Sequence, residues 1–275
     1  MTAALGSYAH VRSTETFDSL NPATGEVIGT YPVFSDQDVA ATVERAHAAA
    51  RWWADLDWAD RRQRLLAWKS HLTRYTGRLA ELVHTETGKP LADAHLEILL
   101  AIVHIDWAAR HARKVLRPRR VRTGVVALNQ AAILEYQPLG VVGVIGPWNY
   151  PVFTPMGSIV YALAAGNAVV FKPSELTPAV GAWLVSSFAE VVPDEPVLQL
   201  VTGMGTTGSH LARSDVNKIA FTGSAATARK VLAAAAESLT PRQNPKILWG
   251  DDAKIIGDGI AIGCPVFRNV LAQEH

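Results

Sequence analysis

Apolar residues return every three or four positions through the first part of the chain, and this spacing predicts three helices. Ser35 and Asp38 make a start that resembles a capping box, and the apolar positions after it are Val39, Val43, Ala46 and Ala50. A second helix is predicted from about Trp58 to Val83, with Gly88-Lys89-Pro90 as its stop, and a third from about Leu91 to Leu116. The residues before Ser35 are predicted to form a short extended lead.

After residue 117 the period changes, and short apolar runs alternate with helical ones. Two runs, Val121–Leu128 and Ala131–Tyr136, predict a hairpin. Further strands are predicted at 141–145, 168–171, 197–201 and 218–221, with helices after Pro151, at 178–191 and at 225–237. Strands separated by helices build parallel βαβ units, so this part is predicted to be a doubly wound α/β sheet.

Composition and charge narrow the class of protein. The chain has 275 residues, 49% of them hydrophobic, which is enough to bury a sizeable core. Its 26 Lys and Arg nearly cancel 25 Asp and Glu, and the net charge of +1 argues against nucleic acid or an anionic membrane as the main partner. The basic connector Arg117-Pro118-Arg119-Arg120 is short and lacks aromatic residues, so we interpret it as a solvated linker.

The cysteine count and the hydropathy pattern indicate the expected cellular compartment. A single cysteine excludes an intramolecular disulfide framework and a multi-cysteine metal site, and no metal is predicted. No signal peptide is visible at the start. The most apolar stretches, Leu99–Ile105 and Ile159–Phe171, are too short to span a bilayer. We therefore expect a cytoplasmic globular protein.

Ligands of open α/β sheets bind at the carboxyl ends of the strands, so the residues that follow each predicted strand are the candidates for chemistry. Asn149 follows the first of these strands, inside the turn Gly146–Pro151. Its amide NH2 could stabilise a developing oxyanion, although an Asn between prolines is also an ordinary turn residue. Lys172 and Glu175 follow the next strand and could bind the two hydroxyls of a ribose, or could simply be solvated residues before a helix.

Two glycine-containing segments are weaker signals. Gly203–Gly208 matches the G-x-G-x-x-G pattern, but that fingerprint belongs at the first strand of its unit, with an acidic residue about twenty positions later, and Asp215 comes too soon. Phe221-Thr222-Gly223-Ser224 ends a strand and opens a helix. Its backbone N–H groups could hold a phosphate, or the segment could be a plain helix start.

Taken together, five segments resemble the aldehyde dehydrogenase superfamily in order and spacing. They are Asn21–Glu26, Glu86–Pro90, Gly140–Pro151, Gly166–Glu175 and Phe221–Ser224. The resemblance covers roughly Phe17 to Pro241, the N-terminal half of the family's chain. It implies N-terminal helices packing on the cofactor domain (1–116), a hairpin with a Rossmann-like NAD(P)-binding region (117–241) and a divergent tail (242–275).

The resemblance also implies roles for individual residues. The family oxidises an aldehyde to a carboxylic acid with NAD(P)+, through a cysteine nucleophile and a glutamate base. Asn149 would form the side-chain half of the oxyanion hole. Lys172 and Glu175 would hold the adenosine ribose, with Glu175 favouring NAD and NADP left open. The other implied cofactor contacts are Ile145, Pro147, Trp148, Ser174, Gly205, Gly208, Phe221, Gly223 and Ser224.

The sequence departs from the family pattern in its last part. Ala228 stands where the family usually has a second glycine. The family's Glu-Leu-Gly-Gly motif is replaced by Asn244–Asp251, which puts Pro245 or Leu248 at the general base. Cys264 lies too close to that position and lacks the family's flanking residues, so we interpret it as a buried or incidental thiol.

These departures set the functional expectation. We expect a chain truncated before its catalytic domain, which binds a nicotinamide dinucleotide at most and is inactive alone. It would accept a small aldehyde only if a catalytic domain completed it. Two alternatives stay open: a non-catalytic partner subunit of a full-length homologue, in a homo- or hetero-oligomer, and a degenerate frameshifted product.

Overall fold

The computed structural model of the chain describes residues 11–122 and 132–237, and the backbone of residues 248–249 and 273–274. The N-terminal part consists of a β-hairpin and four helices: β1 (Thr16–Leu20), β2 (Val27–Pro32), α1 (Asp36–Asp55), α2 (Trp58–Arg74), α3 (Thr76–Thr87) and α4 (Leu91–Leu116). Four short strands accompany the main sheet: β3 (Arg119–Val121), β4 (Ala132–Leu134), β5 (Tyr136–Gln137) and β11 (Gln273–Glu274).

A parallel sheet of five strands forms the centre of the fold. Its strands are β6 (Val141–Ile145), β7 (Ala168–Lys172), β8 (Leu198–Leu200), β9 (Lys218–Phe221) and β10 (Leu248–Trp249). The helices that follow β6 to β9 are α5 (Phe153–Ala164), α6 (Pro178–Val191), α7 (Gly205–Arg213) and α8 (Ala225–Glu237). The strand order is β10-β9-β6-β7-β8, so the chain first builds outward from β6 on one side and then returns to its other side.

Helices cover both faces of this sheet. Neighbouring residues of β7 show the two sides: Phe171 lies 3.4 Å from the position that a side-chain Cβ would take at Gly181 of α6, whereas the stem of Lys172 lies 3.5 Å from the corresponding point at Gly208 of α7. Every residue of β6 to β9 is buried, as expected of parallel strands covered on both sides. The predicted doubly wound α/β class is confirmed.

The N-terminal helices pack into the same core as the sheet. Trp53 and Trp68 are fully buried and meet Phe188 of α6 edge-on, with ring centres 6.1 and 5.0 Å away. The Trp53 indole donates to the carbonyl of Leu163 at 2.7 Å, and the Trp68 indole donates to Ser187 Oγ at 2.8 Å. Aromatic rings with satisfied N–H groups therefore join α1 and α2 to the helices of the sheet.

Several predicted boundaries agree with the structure. The capping box at Ser35 is present, with Asp38 N donating to Ser35 Oγ and Asp38 Oδ2 accepting from Ser35 N. The third helix begins and ends where the spacing predicted, and so do α6, α8, β6 and β9. The strand predicted at 197–201 is shorter at both ends.

The single helix predicted from Trp58 to Val83 is wrong. Two helices occupy this stretch, and they separate at Tyr75, whose φ of −106° and ψ of 18° leave the helical region. The Thr76 hydroxyl donates to the Leu72 carbonyl, and Gly77 follows, so local side-chain bonding and a flexible residue favour the break. The second of these helices runs on to Thr87 and ends at Gly88 in the left-handed conformation, with φ of 70°.

The predicted extended lead contains an element that was not predicted, the β1–β2 hairpin. The Asn21 side chain accepts from Ala23 N at 2.9 Å, Gly25 N donates to the Asn21 carbonyl at 2.8 Å, and Gly25 has φ of 74°. These bonds close a tight turn between the two strands. The segment that resembles the family at 21–26 is therefore this turn.

Two more expectations are modified. Most of the predicted Val121–Tyr136 hairpin lies at 123–131, outside the described residues, and the part described pairs β3 with β4 antiparallel. Within the tail expected to diverge after residue 241, the backbone of β10 pairs in parallel with β9 and extends the sheet. The helix α7 was not predicted at all.

Candidate functional site

Three strands end side by side at the carboxyl edge of the sheet. Ile145 of β6 lies in register with Lys172 of β7 on one side and with Phe221 of β9 on the other. The direction of the chain through the sheet reverses at β6, and such a switch point leaves a crevice between the loops that leave in opposite directions. A cleft of about 790 Å³ opens at this edge.

All twelve predicted site residues line this one cleft. They are Ile145, Pro147, Trp148, Asn149, Lys172, Ser174, Glu175, Gly205, Gly208, Phe221, Gly223 and Ser224. The lining residues that the sequence reasoning missed are Gly146, Thr206, Ser209, Thr222, Thr227, Lys230 and Val231. Three of these, Thr227, Lys230 and Val231, lie three, six and seven positions after Ser224, which is the spacing of one helix face. The helical period of α8, counted from Ser224, could therefore have predicted them.

Lys172 lies almost buried at the wall of the cleft. Its Nζ donates to the Pro173 carbonyl at 2.8 Å and lies 4.0 Å from Glu175 Oε2. Burial lowers the pKa of Lys172 to about 8, and the nearby Glu175 carboxylate opposes this effect. The Glu175 side chain is 45% exposed. This wall of the cleft thus places the Lys172 ammonium beside an accessible carboxylate.

Asn149 lies exposed in the turn between β6 and α5. Its Oδ1 accepts from the Tyr150 N–H at 3.1 Å, which leaves the amide NH2 to face a ligand. Glu97 of α4 contacts the start of α5. It is a fully buried carboxylate whose Oε1 accepts from the N–H groups of Val152 at 2.8 Å and Phe153 at 3.0 Å. A carboxylate at a helix N-terminus satisfies free donors and complements the helix dipole.

Lys89 completes this support. It pairs with Glu97 Oε2, and its Nζ lies 4.1 Å from the centre of the Tyr150 ring. Lys89 and Glu97 lie in and just after a segment that resembles the family, yet neither was predicted as a site residue. They contact the turn that carries Asn149 and not the cleft itself.

A second buried carboxylate holds the helix that follows the Lys172–Glu175 segment. Glu86 of α3 accepts from the N–H groups of Ala179 at 2.8 Å and Val180 at 2.9 Å, and from Ser19 Oγ at 2.5 Å. Burial raises the pKa of Glu86 to about 7, while these three donors act in the opposite direction. The loops on this side of the cleft are therefore fixed by residues of the N-terminal helices.

The N-terminus of α8 forms the opposite wall. Ser224 Oγ accepts from Thr227 N at 3.2 Å, and Thr222 N donates to the Ile145 carbonyl at 3.1 Å. A side-chain Cβ at Gly223 would lie 2.6 Å from the Phe221 ring, so any side chain at position 223 would clash with this ring. Backbone N–H groups at a helix start, approached closely past a glycine, suit a phosphate group.

The described residues contain neither a metal-binding cluster nor a helix that could span a membrane. Over 11–122 and 132–237, no group of three or more His, Cys, Asp or Glu side chains is arranged to hold a metal ion. No helix in the part of the chain that the structure describes is long and apolar enough to cross a membrane. Pro245 and Cys264 lie outside the described residues, and Leu248 is described only in its backbone.

A reversal of strand order with a cleft at the strand ends defines a doubly wound α/β protein of the dinucleotide-binding class. The aldehyde dehydrogenase family model matches residues 9–244, and the chain belongs to the aldehyde dehydrogenase family. An aldehyde dehydrogenase-like protein of Schizosaccharomyces pombe is 33% identical over 230 residues, which are 80% of this chain and 43% of that protein.

Solved structures agree with this assignment. PnpE from Pseudomonas sp. WBC-3, in complex with nicotinamide adenine dinucleotide, aligns with a TM-score of 0.79 and 30% identity over 86% of this chain and 47% of its own. An NADP-dependent enzyme of E. coli aligns with a TM-score of 0.80 and 29% identity over 86% and 48% of the two chains. The chain spans about half the length of the relatives it matches.

Proposed function

We propose that the cleft binds a nicotinamide dinucleotide, with NAD preferred over NADP. The observation that carries this proposal is the convergence of twelve residues, scattered between positions 145 and 224, on one cleft at the switch point of the sheet. The PnpE structure was solved with NAD, and the E. coli relative is NADP-dependent, so the family accepts both cofactors.

The preference for NAD rests on Glu175. Its exposed carboxylate can accept from a ribose hydroxyl, and the same charge repels a 2′-phosphate. Lys172 offers an ammonium beside it, held at 4.0 Å from Glu175 and at 2.8 Å from a carbonyl. The start of α8 at Gly223 and Ser224 would receive the pyrophosphate, because these residues line the cleft at a helix N-terminus.

Asn149 would serve the chemistry of the family. The bound nicotinamide supplies a hydride acceptor. The Asn149 NH2 would stabilise the oxyanion that forms when a nucleophile attacks an aldehyde carbonyl, and a neutral donor in a preorganised turn suits that role. The described lining of the cleft contains no cysteine, and the sequence has Pro245 or Leu248 at the family's general-base position. We therefore propose that the chain alone binds cofactor and oxidises no aldehyde.

Calorimetric titration with NAD and NADP tests the cofactor proposal. We expect saturable binding of NAD and at least about tenfold weaker binding of NADP. The Glu175→Gln variant should narrow this difference, because it removes the repulsion. Glu81→Gln, at an exposed acid outside the cleft, is the matched control. Absence of NAD binding by the folded chain would refute the proposal, and equal affinities for the two cofactors would refute the role of Glu175.

A second candidate function is that of a partner subunit for a full-length homologue. An exposed apolar stripe on α4 favours it, since Leu96, Leu99, Leu100 and Val103 follow helical spacing and are 57, 53, 41 and 62% exposed. A contiguous apolar face of this kind marks a surface that another polypeptide covers. Co-purification with an intact homologue, lost in Leu99→Gln/Val103→Gln, would support this role, whereas aggregation of the isolated chain would indicate a degenerate product.

A further inference from the structure

A second cleft, of about 350 Å³, lies between α2 and α4, and it shares no residue with the cofactor cleft. Four arginines line it: Arg61, Arg62, Arg110 and Arg113. The remaining lining residues are apolar, and they are Trp58, Ala59, Leu65, Ala108, Ala109, Ala112 and Ala164. Within the described part of the chain, this cleft therefore has four cationic side chains and no carboxylate in its wall.

Arg61 is the buried member of the set, at 5% exposure. Its Nη1 donates to the main-chain carbonyls of Trp53, Ala54 and Leu56 at the end of α1, and its guanidinium lies 4.6 Å from the centre of the Trp58 ring. Its Nε is buried and has no hydrogen-bond partner among the described residues. None of the ion pairs formed between described residues includes Arg61.

This arrangement leaves a buried positive charge without a carboxylate partner. The carbonyls at the end of α1 satisfy one arm of the guanidinium and their helix dipole offsets part of its charge, while the rest stays unbalanced in a buried position, which is costly. Burial accordingly lowers the pKa of Arg61, while the charge of Asp57, which forms no ion pair with Arg61, acts in the opposite direction. An anion in the cleft would supply the missing partner.

Two of the other three arginines are free to share such an anion, and the third is already paired. Arg110 already pairs with Asp106, at 2.8 Å, and Lys69 also holds that carboxylate, at 2.7 Å. Arg62 and Arg113 are exposed, and their side chains make no hydrogen bond or ion pair with any described residue. Two unpartnered guanidinium groups thus face the same opening as Arg61, one from each helix.

We propose that this cleft binds a phosphate group, either carried by a small organic molecule or present as the free ion. A guanidinium presents its donors as a planar fork that matches phosphate oxygens, and a phosphate has enough oxygens for several arginines at once, whereas a carboxylate has two. The cleft is larger than a phosphate ion, and its alanine and leucine walls leave room for an attached organic group. The site is separate from the cofactor cleft, so its ligand is not the cofactor.

Nuclear magnetic resonance of the full chain with 15N-labelled arginine tests the proposal, because the orphaned Nε–H of Arg61 is itself the reporter. Titration with inorganic phosphate should move this signal along a saturating curve. Arg62→Gln/Arg113→Gln should weaken binding about a hundredfold, since each of the two charge-assisted contacts is worth about tenfold. Both side chains are exposed, so the variant should keep its melting temperature and its NAD affinity.

Arg78→Gln is the matched control, because Arg78 is an exposed arginine of α3 that does not line the cleft. A second titration, with glucose 6-phosphate, identifies the source of the phosphate: tighter binding than inorganic phosphate assigns an organic ligand, and equal binding assigns the free ion. The proposal is overturned if the Arg61 signal does not move, if it moves without saturating, or if the control weakens binding as much as the double variant.

Discussion

Replacing Lys218 by methionine is expected to stabilise the chain at neutral pH. Lys218 begins β9, is fully buried, and its Nζ has no hydrogen-bond partner among the residues that the structure describes. Burial without a partner lowers its pKa from 10.5 to about 7. The unfolded chain therefore holds this proton more tightly than the folded chain does, and the charged lysine opposes folding.

The size of the effect follows from the two pKa values. Each unit of pKa shift is worth about 1.36 kcal/mol, so the fall in the Lys218 pKa from 10.5 to about 7 corresponds to about 5 kcal/mol of lost stability. The whole of this loss applies below pH 7, where Lys218 is charged in both the folded and the unfolded chain. The unfolded state binds more protons between pH 7 and 10.5, so the free energy of unfolding must rise with pH over this range. Between pH 7 and 9.5 the gain amounts to about 3 kcal/mol.

Urea unfolding at pH 7 and pH 9.5 measures this directly. The Lys218→Met variant should be more stable than the unmodified chain at pH 7, and its gain between pH 7 and pH 9.5 should be smaller by about 3 kcal/mol, the rest of the gain coming from Lys172. Lys114→Met, at an exposed lysine of α4, controls for the loss of one surface charge and should leave both stabilities nearly unchanged. If Lys218→Met destabilises the chain at pH 7, or leaves the rise with pH intact, the ammonium is not the source of the cost.

Three further predictions concern the cofactor cleft and its support. Gly223→Ala should lower NAD affinity and cost about 1–3 kcal/mol of stability, because the added Cβ would lie 2.6 Å from the Phe221 ring; calorimetry and thermal unfolding measure the two effects. Glu97→Ala should cost about 3–5 kcal/mol in urea unfolding, since it leaves Lys89 and two N–H groups of α5 without their carboxylate. NAD affinity should fall as pH rises through about 8, where Lys172 loses its proton, and Lys172→Met should remove this dependence.

Each of these has a clear contrary result. Unchanged NAD binding by Gly223→Ala would mean that the ring moves aside without affecting the cleft. A Glu97→Ala variant as stable as Glu97→Gln would mean that the two N–H groups find other acceptors. A pH dependence of NAD affinity that survives in Lys172→Met would assign it to another group.

The residues of the cleft could be predicted from the sequence because each lies at the end of a strand or the start of a helix. Asn149, Lys172 and Gly223 occupy such positions, and the parallel arrangement of the strands brings their ends together. Their convergence on one cleft is what the structure adds, while their individual roles stay predictions. The helix α7 was missed because its first turn matches a glycine-rich loop, whereas contacts such as Thr207 Oγ1 to the Phe34 carbonyl, at 3.0 Å, support a helix there.

The partners of the buried charged side chains could not be predicted from the sequence, for a different reason. Glu86 and Ala179 are 93 positions apart, and Glu97 and Val152 are 55 apart. Spacing along a helix shows which face an acid occupies, but only the packing of α3 and α4 against the sheet helices shows which N-terminus it reaches. Lys218 is similar, because a lysine at a strand start is normally expected to reach solvent.

These two carboxylates also bear on how the chain is divided. Glu97 and Glu86 belong to α4 and α3, yet they satisfy the first N–H groups of α5 and α6, the helices that follow Asn149 and Glu175. A fragment that began at residue 117 would keep every residue of the cofactor cleft and lose both carboxylates. Four backbone donors would then lose their acceptors beneath the two loops that form one side of the cleft. The N-terminal helices therefore support the proposed cofactor site as much as the sheet does, although none of their residues lines it.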